Sequence, residues 1–247
     1  MGSCSQPIRV TARQQPSPSE TTRAAGSRCR RVRAILFGKG HDVFTPTLTD
    51  LGDRSHLLSA SITLDTHIQD VVNLCKWEGI RNAVLVGHSY AGWVITGAAE
   101  QLEDRLGSIV YLDAFLPDDG QRGFDFLNAQ QRIVHEDAMA RGDITRPGPT
   151  SAMLKVQSPA DAAWIDSMIT PHPLALSMQA LRLTGARERV AKKLYIRAPL
   201  FAQPVYDAAL ARCRATPGWQ TAEMHNCGHA PMVDRPDALC DVLESVL

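Results

Sequence analysis

Residues 84–92 read "VLVGHSYAG", an apolar run leading to a serine where the chain should turn sharply. Ser89 stands two residues after Gly87 and is followed by Tyr90, Ala91 and Gly92. Small residues on either side of a serine let a strand and a helix pass closely, while a strained turn holds the hydroxyl outward as a nucleophile. Ala91 takes a place where glycine is usual, a departure of one methyl. A serine hydroxyl is a weak nucleophile and needs a neighbouring base. Among eight histidines, His229 in "NCGHAPMVDRPDAL" is the strongest candidate, with Gly228 before it to free the backbone. Its place late in the chain fits a serine-then-histidine order. His88, beside the serine, is expected to point away and pack. A buried carboxylate must then fix the imidazole tautomer and stabilise its cation. Asp113, at the end of "SIVYLDA", is preferred over Asp207 in "PLFAQPVYD". The plain alternatives are a turn serine, a capping histidine and a turn-capping aspartate.

These residues need elements to hold them. "NAVLVG" and "SIVYLDA" are continuous apolar runs, as expected of strands buried on both faces of a parallel sheet. Neighbouring parallel strands end at one edge, which would bring Ser89 and Asp113 together. "LDTHIQDVVNLCKWEG" has Leu64, Ile68, Val71, Val72 and Cys75 at helical spacing. Cys29, Val32, Ile35 and Leu36 have the same spacing, and Gly38 and Gly40 can end that helix. "HDVFTPTL", "KKLYIRA" and "WQTAEM" read as further strands, with helices from Ser89, Pro204 and Pro236. The alternation predicts a doubly wound, mostly parallel α/β sheet. Residues 117–188 break the rhythm with several prolines and read as an inserted helical cap.

Residues 1–26 are polar and acid-poor, and only Ile8, Val10 and Ala12 alternate. They read as a disordered or aberrant tail to a single domain over 27–247. The formal charge is zero, so no nucleic-acid or membrane-surface partner is expected. No apolar run approaches the ~20 residues of a membrane span, and the start lacks the apolar core of a secretory signal. Six scattered cysteines form no CxxC pair, which argues against a zinc ribbon or disulfide scaffold. A cytoplasmic location is the resulting expectation.

The segments "GHDVFTPTLTDLGDRSHL", "DTHIQDVV", "VLVGHSYAGWVITG", "VYLDAFLPDDGQ" and "GHAPMVDRPDAL" resemble the α/β-hydrolase superfamily. The likeness is greatest to small bacterial esterase-like members related to the plant methylesterase and hydroxynitrile lyase group. The resemblance implies cofactor-free ester hydrolysis with no metal: Ser89 attacks, His229 shuttles the proton, Asp113 orients it and the Tyr90 N–H joins the oxyanion hole. Ala230 follows His229 where the lyases carry lysine, which argues against cyanohydrin cleavage. Such proteins also begin with a central apolar strand ending in His-Gly, whose following loop supplies an oxyanion donor. Here that strand is apparently missing or degraded, with "SPSETTRAAGSR" in its place. Loss of one such donor costs roughly 10²–10³ in turnover. The leading expectation is therefore a serine hydrolase for a small to medium, largely apolar carboxylic ester. The alternative is a catalytically impaired fold that binds a small molecule. Phe115, Leu116, Phe124, Phe126, Trp164, Met168 and Met178 either line an apolar pocket or form the cap's own core. The absence of a strong basic cluster there disfavours a phosphate ester, and a homodimer stays open.

Overall fold

The computed structural model describes residues 8–11 and 28–247. Six strands form one sheet: β1 (Ile8–Thr11), β2 (Asp42–Phe44), β3 (Ala83–His88), β4 (Leu106–Leu112), and, after the small hairpin β5 (Thr145–Arg146) and β6 (His172–Pro173), β7 (Lys192–Arg197) and β8 (Trp219–Glu223). Their spatial order is β2-β1-β3-β4-β7-β8, with β3, β4, β7 and β8 all parallel. The helices are α1 (Arg30–Gly38), α2 (Leu64–Trp77), α3 (Ala91–Leu102), α4 (Ala129–Ala140), α5 (Pro159–Ser167), α6 (Ala186–Arg189), α7 (Pro204–Ala215), α8 (Pro231–Asp234) and α9 (Pro236–Glu244).

The apolar runs are continuous because both sheet faces are covered. Leu85, Ile109, Tyr111 and Tyr195 pack with α2 and α3, while Val84, Val86, Val110, Leu112, Leu194 and Ile196 pack with α1 and α9. Alternate residues point to opposite faces, so a sheet with two cores needs apolar residues at every position. Each fully buried aliphatic side chain contributes about 1.5–3 kcal/mol. Thr63 opens α2 through a reciprocal capping arrangement with Thr66, which satisfies two N–H groups of the first turn. No helix among the described residues is long and apolar enough to cross a membrane.

The N-terminal expectation needs correction. Ile8–Thr11 is a strand inside the sheet, antiparallel to β2 on one side and β3 on the other. The parallel strands β2 and β3 each offer a row of N–H and C=O groups, and one inserted strand satisfies both rows. Four residues suffice because they pair on two sides, which an isolated reading of the segment undervalues. Ile8 faces Val86 and Thr11 faces Ala83, so β1 leaves the sheet at the edge opposite Ser89. All of the stretch "SPSETTRAAGSR" except its last residue, Arg28, lies outside the described residues.

Between β4 and β7 the chain is built from short helices, loops and the β5–β6 hairpin, in the region expected to be a cap.

Candidate active site

Ser89 lies between β3 and α3 with φ of 56°, left-handed backbone that a non-glycine residue rarely adopts. The surroundings fix this strain. The Ser89 N–H donates to the Leu112 carbonyl at 3.2 Å, and its own carbonyl accepts from Gly92 at 3.1 Å and Phe115 at 3.2 Å. A Cβ on Gly92 would lie 2.0 Å from the Phe115 carbonyl oxygen, so this position admits no side chain. The close approach falls on Gly92 rather than its neighbour, which is why Ala91 is tolerated fully buried. Tyr90, the next residue along, caps α3, and its hydroxyl is 3.1 Å from His67 Nδ1.

His229 follows β8. A Cβ on Gly228 would lie 2.2 Å from the Lys155 carbonyl oxygen, and the His229 N–H donates to the Leu154 carbonyl at 2.8 Å. This contact clamps the loop and aims the ring. His229 Nε2 is 2.7 Å from Ser89 Oγ, and Nδ1 is 2.6 Å from Asp113 Oδ2. The imidazole stacks on Phe201 with centroids 4.2 Å apart and also lies nearly parallel to Tyr206. The Tyr206 hydroxyl stands 3.3 Å from Ser89 Oγ. Burial holds its pKa well above the usual tyrosine range, so it remains a neutral donor.

Asp113 is fully buried just after β4 and uses both carboxylate oxygens. Oδ2 meets His229; Oδ1 accepts from Arg197 Nη1 at 2.7 Å and from the Ala198 N–H at 3.0 Å. Arg197, 1% exposed, in turn donates Nε to Asp207 at 2.8 Å and Nη2 to the Phe201 carbonyl at 2.8 Å. Burial works to lower the Arg197 pKa, but the Asp113 and Asp207 charges outweigh it and the net shift is upward. The four residues named from the sequence thus converge on one edge of the sheet. The rival acid Asp207 does not reach His229 and is one step removed, on Arg197. His88 packs as expected: its Nε2 hydrogen-bonds the His229 carbonyl, and burial, then the nearby His229 charge, hold its pKa well below the histidine range.

Sequence reasoning missed Arg197, Phe201 and Tyr206. A basic residue at the end of the apolar run "KKLYIRA" was the available signal for Arg197; the aromatic pair depends on how α7 and the loop before it pack.

A small cavity is lined by Tyr90, the residue after Ser89, and by Trp93, Phe115, Phe126, Arg146 and His172, among others. Of the apolar residues singled out in the sequence, Phe115 and Phe126 line it, whereas Leu116 and Phe124 are buried in packing. Trp164 instead carries the Arg30 guanidinium 4.1 Å from its ring, and Met168 is exposed. Arg146 and His172 were not anticipated, and they make the cavity less apolar than the sequence suggested. Among the described residues no group of three or more His, Cys, Asp or Glu is placed to hold a metal ion.

Residues 25–242 match the family described as "Alpha/beta hydrolase family". The chain is 33% identical over 232 residues to a carbendazim hydrolyzing esterase of Nocardioides sp. (strain SG-4G), covering 90% of this chain and 95% of that protein. It is 26% identical to Esterase PIR7B of Oryza sativa subsp. japonica, covering 86% and 88%. Among solved structures, an extracellular alpha/beta-hydrolase from a Paenibacillus species superposes with a TM-score of 0.71 at 22% identity, covering 89% of this chain and 93% of the other.

Proposed function

We propose, from the premise that this chain belongs to the α/β-hydrolase family, that it is a carboxylic ester hydrolase using Ser89, His229 and Asp113 as a catalytic triad. The observation that carries the reading is the unbroken hydrogen-bond chain from Ser89 Oγ through His229 to Asp113. The named activities of its esterase relatives point to the same reaction type.

In this mechanism Ser89 Oγ gives its proton to His229 Nε2 as it attacks the ester carbonyl carbon. Asp113 keeps the proton of the resting imidazole on Nδ1 and stabilises the cation that forms. The carbonyl oxygen becomes an oxyanion beside the Tyr90 N–H, the donor at the start of α3 and so at the positive end of the helix dipole. Collapse expels the alcohol, which takes the proton from His229. Water, deprotonated by the same imidazole, then cleaves the acyl-Ser89 ester and restores the serine. The substrate is a small to medium ester whose apolar part lies against Trp93, Phe115 and Phe126.

Hydrolysis of p-nitrophenyl butyrate by wild-type and Ser89→Ala protein tests the reading. A Ser89-dependent rate supports it. Equal rates for the two proteins would overturn it in favour of a catalytically silent fold.

A further inference from the structure

The β5–β6 hairpin pairs Arg146 directly with His172, and both residues line the cavity that Tyr90, the residue after Ser89, also lines. His172 is 2% exposed, yet neither ring nitrogen has a hydrogen-bond partner within 3.5 Å, and only a weaker contact to the Pro173 backbone remains. The Arg146 Nε is likewise shut off from solvent and without a partner, and no Asp or Glu among the described residues pairs with the guanidinium. The buried Asp50 carboxylate lies 3.6 Å from His67 Nε2 and does not line the cavity. Leaving a buried polar group unpaired costs about 1–3 kcal/mol, and more for a charge. Two adjacent residues that both bear this cost, facing one cavity, mark a place where a ligand supplies the missing acceptors.

The chemistry of that ligand follows from the donors. Arg146 stays cationic at any ordinary pH. Burial, then the Arg146 charge, hold the His172 pKa well below the histidine range, so its ring is neutral and offers one N–H. A cation beside a single N–H suits a compact anion with two acceptor oxygens. The rest of the wall combines the apolar Trp93, Phe115, Phe126 and Leu176 with the Tyr90 and Ser177 hydroxyls, and it carries no second charged side chain. The cavity is small, about 30 Å³, which favours a compact anionic group over a bulky one. Phe115 links this wall to the reacting centre: its N–H donates to the Ser89 carbonyl, and its ring packs 5.1 Å from Tyr206.

We propose that Arg146 and His172 form an anion-recognition wall for a carboxylate carried by the substrate at a distance from the ester that is cleaved. The preferred substrates are then half-esters or ring-bearing esters with a free carboxylate, recognised by its charge and positioned by the aromatic walls. The assignment of this carboxylate to a substrate rests on the hydrolase reading above; its binding does not.

Titration calorimetry of the full chain with butanoate, and with the neutral isostere butanamide, tests it. Butanoate should bind about ten-fold more tightly than butanamide or better, as expected for a charge-assisted hydrogen bond in an enclosed site. Arg146→Met should abolish that preference, and Arg146→Lys should retain part of it. His172→Phe should weaken butanoate binding by a smaller factor. Equal affinity for the two ligands in the wild type, or an undiminished preference in Arg146→Met, overturns the proposal. If the preference depends on Arg146 but wild type and Ser89→Ala hydrolyse p-nitrophenyl butyrate alike, the anion site stands and the hydrolase reading alone fails.

Discussion

The molecule holds two buried polar clusters, and they are built in opposite ways. Around Asp113 every acceptor is used: His229, Arg197 and the Ala198 N–H surround one carboxylate, and Arg197 is itself bonded to Asp207 and two carbonyls. Around the β5–β6 hairpin, Arg146 Nε and both nitrogens of His172 are buried with no partner within 3.5 Å. The first cluster hangs on the ends of β4 and β7, whose ladder fixes geometry to fractions of an ångström. The second hangs on strands of two residues in a segment of short helices and loops. The contrast suggests that proton-transfer groups are preorganised by the sheet, while recognition groups bear an unpaid desolvation cost until a ligand arrives.

The largest expected effect separates the roles of the two acids. Asp113→Asn should lower kcat for p-nitrophenyl butyrate by roughly 10⁴, since the amide favours the wrong imidazole tautomer. Asp207→Asn should cost less than about ten-fold, because it touches only Arg197. The reverse ranking would move the acid and dissolve the contrast. Steady-state kinetics on the two variants decides it.

Stability should next distinguish the two arginines by sign. Arg197→Met leaves the Asp113 carboxylate buried without its cation and should destabilise by roughly 3 kcal/mol. Arg146→Met removes a charge that has no partner, so it should be neutral or stabilising by about 1 kcal/mol. Urea unfolding midpoints for the pair would break the comparison if both variants shifted the same way.

A smaller effect concerns acid. Burial depresses the pKa of both His88 and His172 in the folded state. The unfolded chain, with histidines near 6.5, therefore binds more protons as pH falls below about 6.5. Stability contributed by the neutral rings is present above that value and is lost as pH falls, by up to about 1.4 kcal/mol per pH unit for each histidine. Urea midpoints between pH 7.5 and pH 5 should decline, and His172→Phe should make the decline shallower. An unchanged slope in that variant would show that His172 does not contribute.

The sheet-borne cluster was largely legible in the sequence. Strand ends in a parallel sheet share an edge, so apolar runs ending at Ser89 and Asp113, with a glycine-preceded His229 after the last strand, locate three side chains without coordinates. Arg146 and His172 were not legible, because their pairing depends on the register of a two-residue hairpin closed across 25 intervening residues, and no periodicity survives in so irregular a segment. Tyr206 reaches His229 through the docking of α7, and Phe201 through the turn between β7 and α7. Ile8–Thr11 escaped for another reason: four residues carry too little pattern, and their stability comes from strands β2 and β3 far along the chain.

The nucleophilic role of Ser89 is tested most directly by reaction with a fluorophosphonate followed by peptide mapping in a mass spectrometer. A stoichiometric adduct on Ser89, lost in His229→Ala, is the predicted result. A stoichiometric adduct on another residue, or equal labelling of wild type and His229→Ala, would contradict the triad.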